Sequence, residues 1–146
     1  MKYPAPSLEP EGGHPPVRLA NIEIWVCRAP IERPVETSFG TMSSRPALFV
    51  RLEDFDGAFG FGEVWCNFPA CGAEHRANLI VEELAPLVIR SLARHPSDLF
   101  HLLSDKIRIR ALQAGELGPY AQAIAGLDIA MWDLFARRAG VSVRHF

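Results

Sequence analysis

The stretch Ala47-Leu48-Phe49-Val50-Arg51-Leu52-Glu53-Asp54 runs through Phe55-Asp56-Gly57 into Ala58-Phe59-Gly60-Phe61-Gly62-Glu63-Val64-Trp65. In its first half Leu48, Val50 and Leu52 alternate with Phe49, Arg51 and Glu53, the period-two pattern of a half-buried strand. Asp56-Gly57 supplies the positive φ angles that a tight hairpin turn needs, so Ala47–Asp54 and Ala58–Trp65 read as antiparallel neighbours. Glycines at positions 60 and 62 imply that another group approaches the backbone closely, either a packed element or a ligand.

Upstream of this hairpin, Ile22, Ile24 and Val26 alternate with Glu23, Trp25 and Cys27, which predicts a first strand over Val17–Arg28. Between the two strands lies Ala29–Pro46, about 18 residues without periodicity and punctuated by Pro30, Pro34, Gly40, Ser43 and Ser44. A loop of that length inside a compact domain is often functional. Residues 1–16 hold five prolines and two glycines and are expected to be a disordered leader.

Downstream, a second loop over Cys66–Gly72 leads to a helix at Ala73–Arg90. Its positions Ala77, Ile80, Val81, Leu84, Leu87 and Val88 share one face, and Pro86 is expected to kink or tighten the last turn. Pro96-Ser97-Asp98 opens a second helix through Ala111, with Leu99, Leu102, Leu103, Ile107 and Ile109 as candidate core. Gly115 and Gly118 interrupt it. The last helix, Pro119–Ala139, is apolar around much of its girth (Ile124, Leu127, Ala130, Met131, Leu134 and Phe135) and should pack between layers, with Gly140 as its stop. Three strands followed by three helices predict an α+β fold, a three-stranded antiparallel meander with helices after it.

Composition fits one soluble domain: 146 residues, 49% apolar and 22% charged, with a formal net charge of −2. A near-neutral chain without a basic stripe gives no reason to expect nucleic acid or anionic lipid. No apolar run approaches the roughly 18 residues of a membrane helix, so no membrane partner is expected either. Three cysteines, Cys27, Cys66 and Cys71, do not make a disulfide framework, and a cytoplasmic location is the expectation.

No catalytic constellation emerges from the residues themselves. Cys66, Cys71 and His75 lack the paired spacing of a zinc site and read as a loop with two small thiols. Glu63 ends a strand beside a glycine and could aim a carboxylate into a cleft, but a rim charge is the plainer reading. Asp133 and Arg137, four apart on a helix, read as an ion pair, and Asp128 as structural. No Gly-rich phosphate loop or nucleophile elbow is present.

Taken together, the strand, the long loop, Phe49-Val50-Arg51-Leu52, Asp56-Gly57 and Gly60-Phe61-Gly62-Glu63 resemble the N-terminal capping domain of the enolase superfamily, in its mandelate racemase and muconate lactonizing enzyme branch. Glu82-Glu83-Leu84-Ala85-Pro86-Leu87, Ala125-Gly126-Leu127-Asp128-Ile129-Ala130-Met131-Trp132-Asp133-Leu134 and Ala139-Gly140-Val141-Ser142-Val143 extend the likeness over about residues 17–143. The resemblance implies a domain that caps a (β/α)-barrel. It also implies a Mg²⁺-dependent enzyme that abstracts the proton α to the carboxylate of a small carboxylate or acid-sugar substrate. Carried over by position, Thr37, Ser38 and Phe39 fall in the family's mobile specificity loop, and Trp65, Asn67 and Phe68 in its loop after the third strand. Each is a candidate for contact with the substrate's distal end.

The family's catalytic bases and metal ligands sit on barrel strands. Such a barrel takes about 250 residues. Residues 144–146 would stand at its start. The chain as written is therefore expected to hold neither the metal nor the catalytic groups, and to self-associate through the face a barrel would cover. Two other readings stay open: a stand-alone, non-catalytic dimerisation or interaction module, and a small metal binder using Cys66, Cys71 and His75.

Overall fold

A computed structural model describes residues 15–38, 40–89 and 91–146. The expected disordered leader lies almost wholly outside them, and so does Phe39. A four-stranded antiparallel sheet in the order β3-β2-β1-β4 is covered on one face by helices. The strands are β1 (Val17–Thr37), β2 (Gly40–Asp54), β3 (Phe59–Val64) and β4 (Leu92–Ala93). The α+β class and the meander stand as expected.

The hairpin that decided the fold is present in register, with Leu48 opposite Val64, Val50 opposite Gly62 and Leu52 opposite Gly60. Leu48, Val50 and Leu52 are fully buried, whereas Phe49 on the other face is exposed. The turn is longer than the two-residue type expected. Only Gly57 takes a positive φ, of 84°, and the connection is organised by Asp54. The Asp54 carboxylate accepts the Asp56 and Ala58 N–H groups at 2.9 Å each and pairs with Arg138 of the last helix. A nearly fully buried carboxylate thereby gains both its hydrogen bonds and its countercharge.

The segment Ala29–Pro46, expected as a loop, is ladder on both sides. β1 and β2 stay paired out to Thr37 opposite Gly40, with a register break between Pro30 and Val35. Apart from Met42 and Pro46 its described side chains are exposed or half-buried, so they show no buried face that would impose an alternation on the sequence. Pairing here rests on backbone hydrogen bonds, which side-chain periodicity does not report. β4 is likewise invisible in the sequence, because two residues carry no period. It pairs with Val17 and Arg18 at the start of β1.

The first helical rod comprises α1 (Gly72–Asn78), a π-helical turn at Leu79–Leu84 and α2 (Ala85–Val88). Pro86 was expected to kink or tighten the rod's end, but the turn before it widens instead. The proline has no N–H and its ring crowds the carbonyl four residues back, and the Ala85 N–H reaches Ile80 in an i→i−5 bond. α3 (Pro96–Ala114) buries Leu99, Leu103, Ile107 and Ala111 at four-residue spacing, while Leu102 is half-buried and Ile109 is exposed. Its first turn is capped from both directions. His95 Nδ1 accepts the Ser97 N–H, and Asp98 accepts the N–H groups of Arg94 and His95 at 2.7 and 2.9 Å. α4 (Leu117–Arg138) is stopped by Gly140 at φ 69°, with Gly140 N–H bonded to Arg137 and Val141 N–H to Ala136.

α4 is the keel of the domain. Its buried positions include Ala123, Ile124, Leu127, Ala130, Met131, Leu134 and Phe135, set between the sheet and α3. The glycine question is answered here: a Cβ on Gly62 would lie 2.0 Å from the Gly126 carbonyl oxygen, and one on Gly60 2.2 Å from that of Ala130. Strand and helix meet backbone to backbone, so the close partner is α4. The sheet and α3 cover the buried side of α4, and exposed apolar side chains stand both on the outer sheet face (Trp25, Phe49 and Phe61) and on the helices (Phe100, Ile109 and Leu112 on α3, Leu117 and Ile129 on α4). Among the described residues no helix is long and apolar enough to cross a membrane.

Candidate functional site

Two segments meet at one end of the sheet, the far part of the β1–β2 ribbon and the loop after β3. Asn67, Phe68 and Ala70 from the loop face Arg28, Thr41, Met42, Ser43, Ser44 and Pro46 from the ribbon, around a small cavity of about 90 Å³. Four residues of β1, 31–34, have no register partner on β2 within the break, and an uneven count of this kind bends a ribbon. Met42, 8% exposed, marks where the bent ribbon turns inward.

Of the residues singled out in the sequence, Asn67 and Phe68 line this cavity, both half-buried. Thr37 closes the ribbon's tip, its hydroxyl donating to the Gly40 carbonyl at 2.8 Å. It stands one register step from Thr41, which lines the cavity. Ser38 is exposed in the turn itself, and Trp65 is half exposed just beyond β3. Sequence reasoning passed over Arg28, Thr41, Ser43 and Ser44. Ser43 and Ser44 were visible only as loop formers, and Arg28 only as the end of a strand.

Two ionic contacts fix the loop's surroundings. Arg28 Nη2 donates to both carboxylate oxygens of Glu74 at 2.7 and 3.0 Å, joining the ribbon to α1. Hydrogen bonding from that guanidinium holds the Glu74 carboxyl below its ordinary range. Behind the loop, Arg76 is only 4% exposed. It donates from Nε and Nη2 to Gln122 Oε1 at 2.9 and 2.7 Å, and from Nη1 to the Gly72 carbonyl at 3.2 Å. These bonds tie the start of α1 to α4. Burial pushes the Cys66 thiol up, away from the nucleophilic thiolate.

The other chemistry-bearing residues stand apart. His75 pairs with Glu116 at 3.0 Å, Cys66 is buried and Cys71 exposed. Among the described residues no three His, Cys, Asp or Glu side chains converge to hold a metal ion. Asp133 and Arg137 do pair, at 2.9 Å, and Asp133 also accepts the outward N–H of Phe61, sealing part of the edge of β3. Asp128 has one buried oxygen, Oδ1, without a hydrogen-bond partner, and burial raises its carboxyl above the ordinary range.

The described residues form a one-sided α+β domain with a ribbon and a loop gathered at one end. Residues 21–146 match the N-terminal domain of mandelate racemase and muconate lactonizing enzyme, and the chain belongs to that family. It is 48% identical to a mandelate racemase/muconate lactonizing enzyme of Bordetella bronchiseptica RB50, whose structure superposes with a TM-score of 0.76 over 86% of this chain and 32% of that one. A racemase from Streptomyces coelicolor A3(2), solved with bound magnesium, is 25% identical with a TM-score of 0.71, over 83% of this chain and 32% of that one. The o-succinylbenzoate synthase of Geobacillus kaustophilus is 32% identical over 128 residues, 83% of this chain and 31% of that protein. The chain thus spans about a third of the length of these relatives.

Proposed function

We propose that this chain is the substrate-capping part of a Mg²⁺-dependent isomerase or lyase that removes the proton α to a carboxylate. The observation that carries this reading is the asymmetry of the match, 86% of this chain against 32% of a related structure. In the proposal, the parts of such an enzyme that hold magnesium and move the proton belong to the two-thirds without counterpart here. Among the described residues no three His, Cys, Asp or Glu side chains converge on a metal position. The chain's task is closure: a carbon acid loses its proton readily only where water is excluded and developing charge is met by fixed groups.

The ribbon tip with Thr37 and Ser38, and the loop with Trp65, Asn67 and Phe68, are the groups proposed to meet the substrate's distal end. Phe39 shares that assignment from the sequence alone. The hydroxyls of Thr41, Ser43 and Ser44 extend the same surface.

The test is the intact mass of the protein from its own cells, paired with an exchange assay. A mass larger than 16.2 kDa by a barrel, on the order of 25 to 30 kDa, together with Mg²⁺-dependent exchange of a carboxylate's α-proton for solvent deuterium, is the expected result. A native product of 16.2 kDa would overturn the enzyme reading and leave a stand-alone binding module.

A further inference from the structure

A helix N-cap is ordinarily Ser, Thr, Asn or Asp, whose oxygen accepts a backbone N–H. At the start of α3 the cap is His95. Pro96 has no N–H, so Ser97 carries the first backbone donor of the helix, and His95 Nδ1 accepts it at 3.2 Å. A backbone N–H cannot turn round, so this bond fixes the neutral ring as the tautomer with its proton on Nε2. The same Nδ1 stands 2.7 Å from Ser97 Oγ, a hydroxyl that can either donate to it or accept from it. The ring also meets Trp132 of α4 edge to face, with centres 5.2 Å apart and planes at 90°.

A proton on Nδ1 reverses this arrangement. The nitrogen becomes a donor aimed at a donor, and a cation is placed at the positive end of a helix. Two partners remain for the charged ring: Ser97 Oγ, now as acceptor, and the Trp132 ring. The Ser97 N–H is left without its cap. The charged groups on the elements meeting here are Arg94 and Asp98 beside the cap, His101 further along α3, Asp128 one turn before Trp132 on α4, and Arg144 and His145 ahead of Phe146, which packs on Trp132. Asp98 attracts a charged ring, but its carboxylate is held by the Arg94 and His95 N–H groups and would give up the other half of the cap to bond it. His145 Nδ1 lies 3.0 Å from Ser142 Oγ, within its own turn. Leu99, 1% exposed, anchors α3 directly after the cap, so the change is confined to the first turn.

We propose that His95 makes the junction of β4 and α3 an acid-sensitive clasp: neutral, it caps α3, and protonated, it stays on Trp132 and lets the first turn go. Ser, Thr or Asn in this place would cap across the same pH range, whereas an imidazole changes charge near neutrality.

The test uses the 146-residue chain labelled with ¹⁵N, and H95N, whose amide caps without titrating. At about pH 8 a long-range ¹H–¹⁵N spectrum should show His95 with Nδ1 bare and Nε2 protonated. Between about pH 8 and 5 the Ser97 amide signal should move with the same midpoint as the His95 ring, and its hydrogen-exchange protection should fall by about fivefold, the scale of a lost cap. The His95–Trp132 nuclear Overhauser contact should persist. Over the same interval wild type should lose about 2–4 °C more Tm than H95N. A proton on Nδ1 at the alkaline end, a Ser97 amide that does not follow the ring, loss of the Trp132 contact in acid, or equal Tm losses in the two proteins would overturn the proposal. The tautomer and the Ser97 titration are read on wild type and decide the question even if H95N folds poorly.

Discussion

Replacing Gly62 by alanine tests the backbone-to-backbone seam between β3 and α4. Gly62 does not have a positive φ, so alanine meets no conformational penalty. Stiffening the unfolded chain should by itself add about 0.4–1 kcal/mol of stability. Opposing this, the new Cβ would lie 2.0 Å from the Gly126 carbonyl oxygen and 2.9 Å from the Ala130 nitrogen. Both are backbone atoms in a helix and cannot rotate away. Strand and helix must part by about 1 Å to restore a 3.0 Å contact, loosening the best-covered face of α4. Overpacking of this kind costs about 1–3 kcal/mol, and a rigid obstacle places Gly62→Ala at the upper end. The net loss is about 2 kcal/mol, which at about 2–4 °C per kcal/mol lowers Tm by about 4–8 °C. Gly118, in the first turn of α4 with nothing within 4 Å of its would-be Cβ, is the control. Gly118→Ala should raise Tm by a degree or more, through helix propensity alone. Thermal denaturation followed by circular dichroism measures both. If Gly62→Ala matched the wild type, or rose with Gly118→Ala, the close approach would be refuted.

Three further outcomes are expected. Asp128 has its folded-state pKa raised by burial, so its contribution favours the fold below the ordinary carboxyl range near about 4 and is lost as pH rises through the folded value. Tm measured for Asp128→Asn against wild type should therefore show a gain at pH 7 that disappears at pH 3.5, and a constant difference would refute the assignment. Gln122→Leu, which leaves the Arg76 guanidinium buried without its main acceptor, should cost about 1.5–3 kcal/mol in urea denaturation. It should cost more than Arg76→Met, and the double variant should recover part of the loss. Excess EDTA, MgCl₂ or ZnCl₂ should leave the Tm of the 146-residue chain unmoved, since no ligand set converges among the described residues; a stoichiometric zinc shift would point back to Cys66, Cys71 and His75.

How much of the candidate site could be read in advance follows the same physics. Asn67 and Phe68 were marked by the family resemblance, which carried them over by position into the loop after the third strand. Arg28, Thr41, Ser43 and Ser44 were not, because their placement depends on a ribbon folding over, and a bend at a register break leaves no trace in composition. Asp54 looked like one more turn residue, although it is the buried partner of Arg138, 84 positions away.

Alternation in Leu48, Val50 and Leu52, four-residue spacing in Leu99, Leu103 and Ile107, and glycines at 57, 115 and 140 are local imprints of burial and backbone angle. The sequence by itself determined the hairpin, the three meander strands ahead of the first helix and the α+β class, because each rests on neighbours within a few residues. Tertiary structure decided what Gly60 and Gly62 are for, that Ala29–Pro46 is ladder, and that β4 joins the sheet. Those features depend on which distant segments meet, and backbone pairing and close packing are blind to the side-chain period through which a sequence is read.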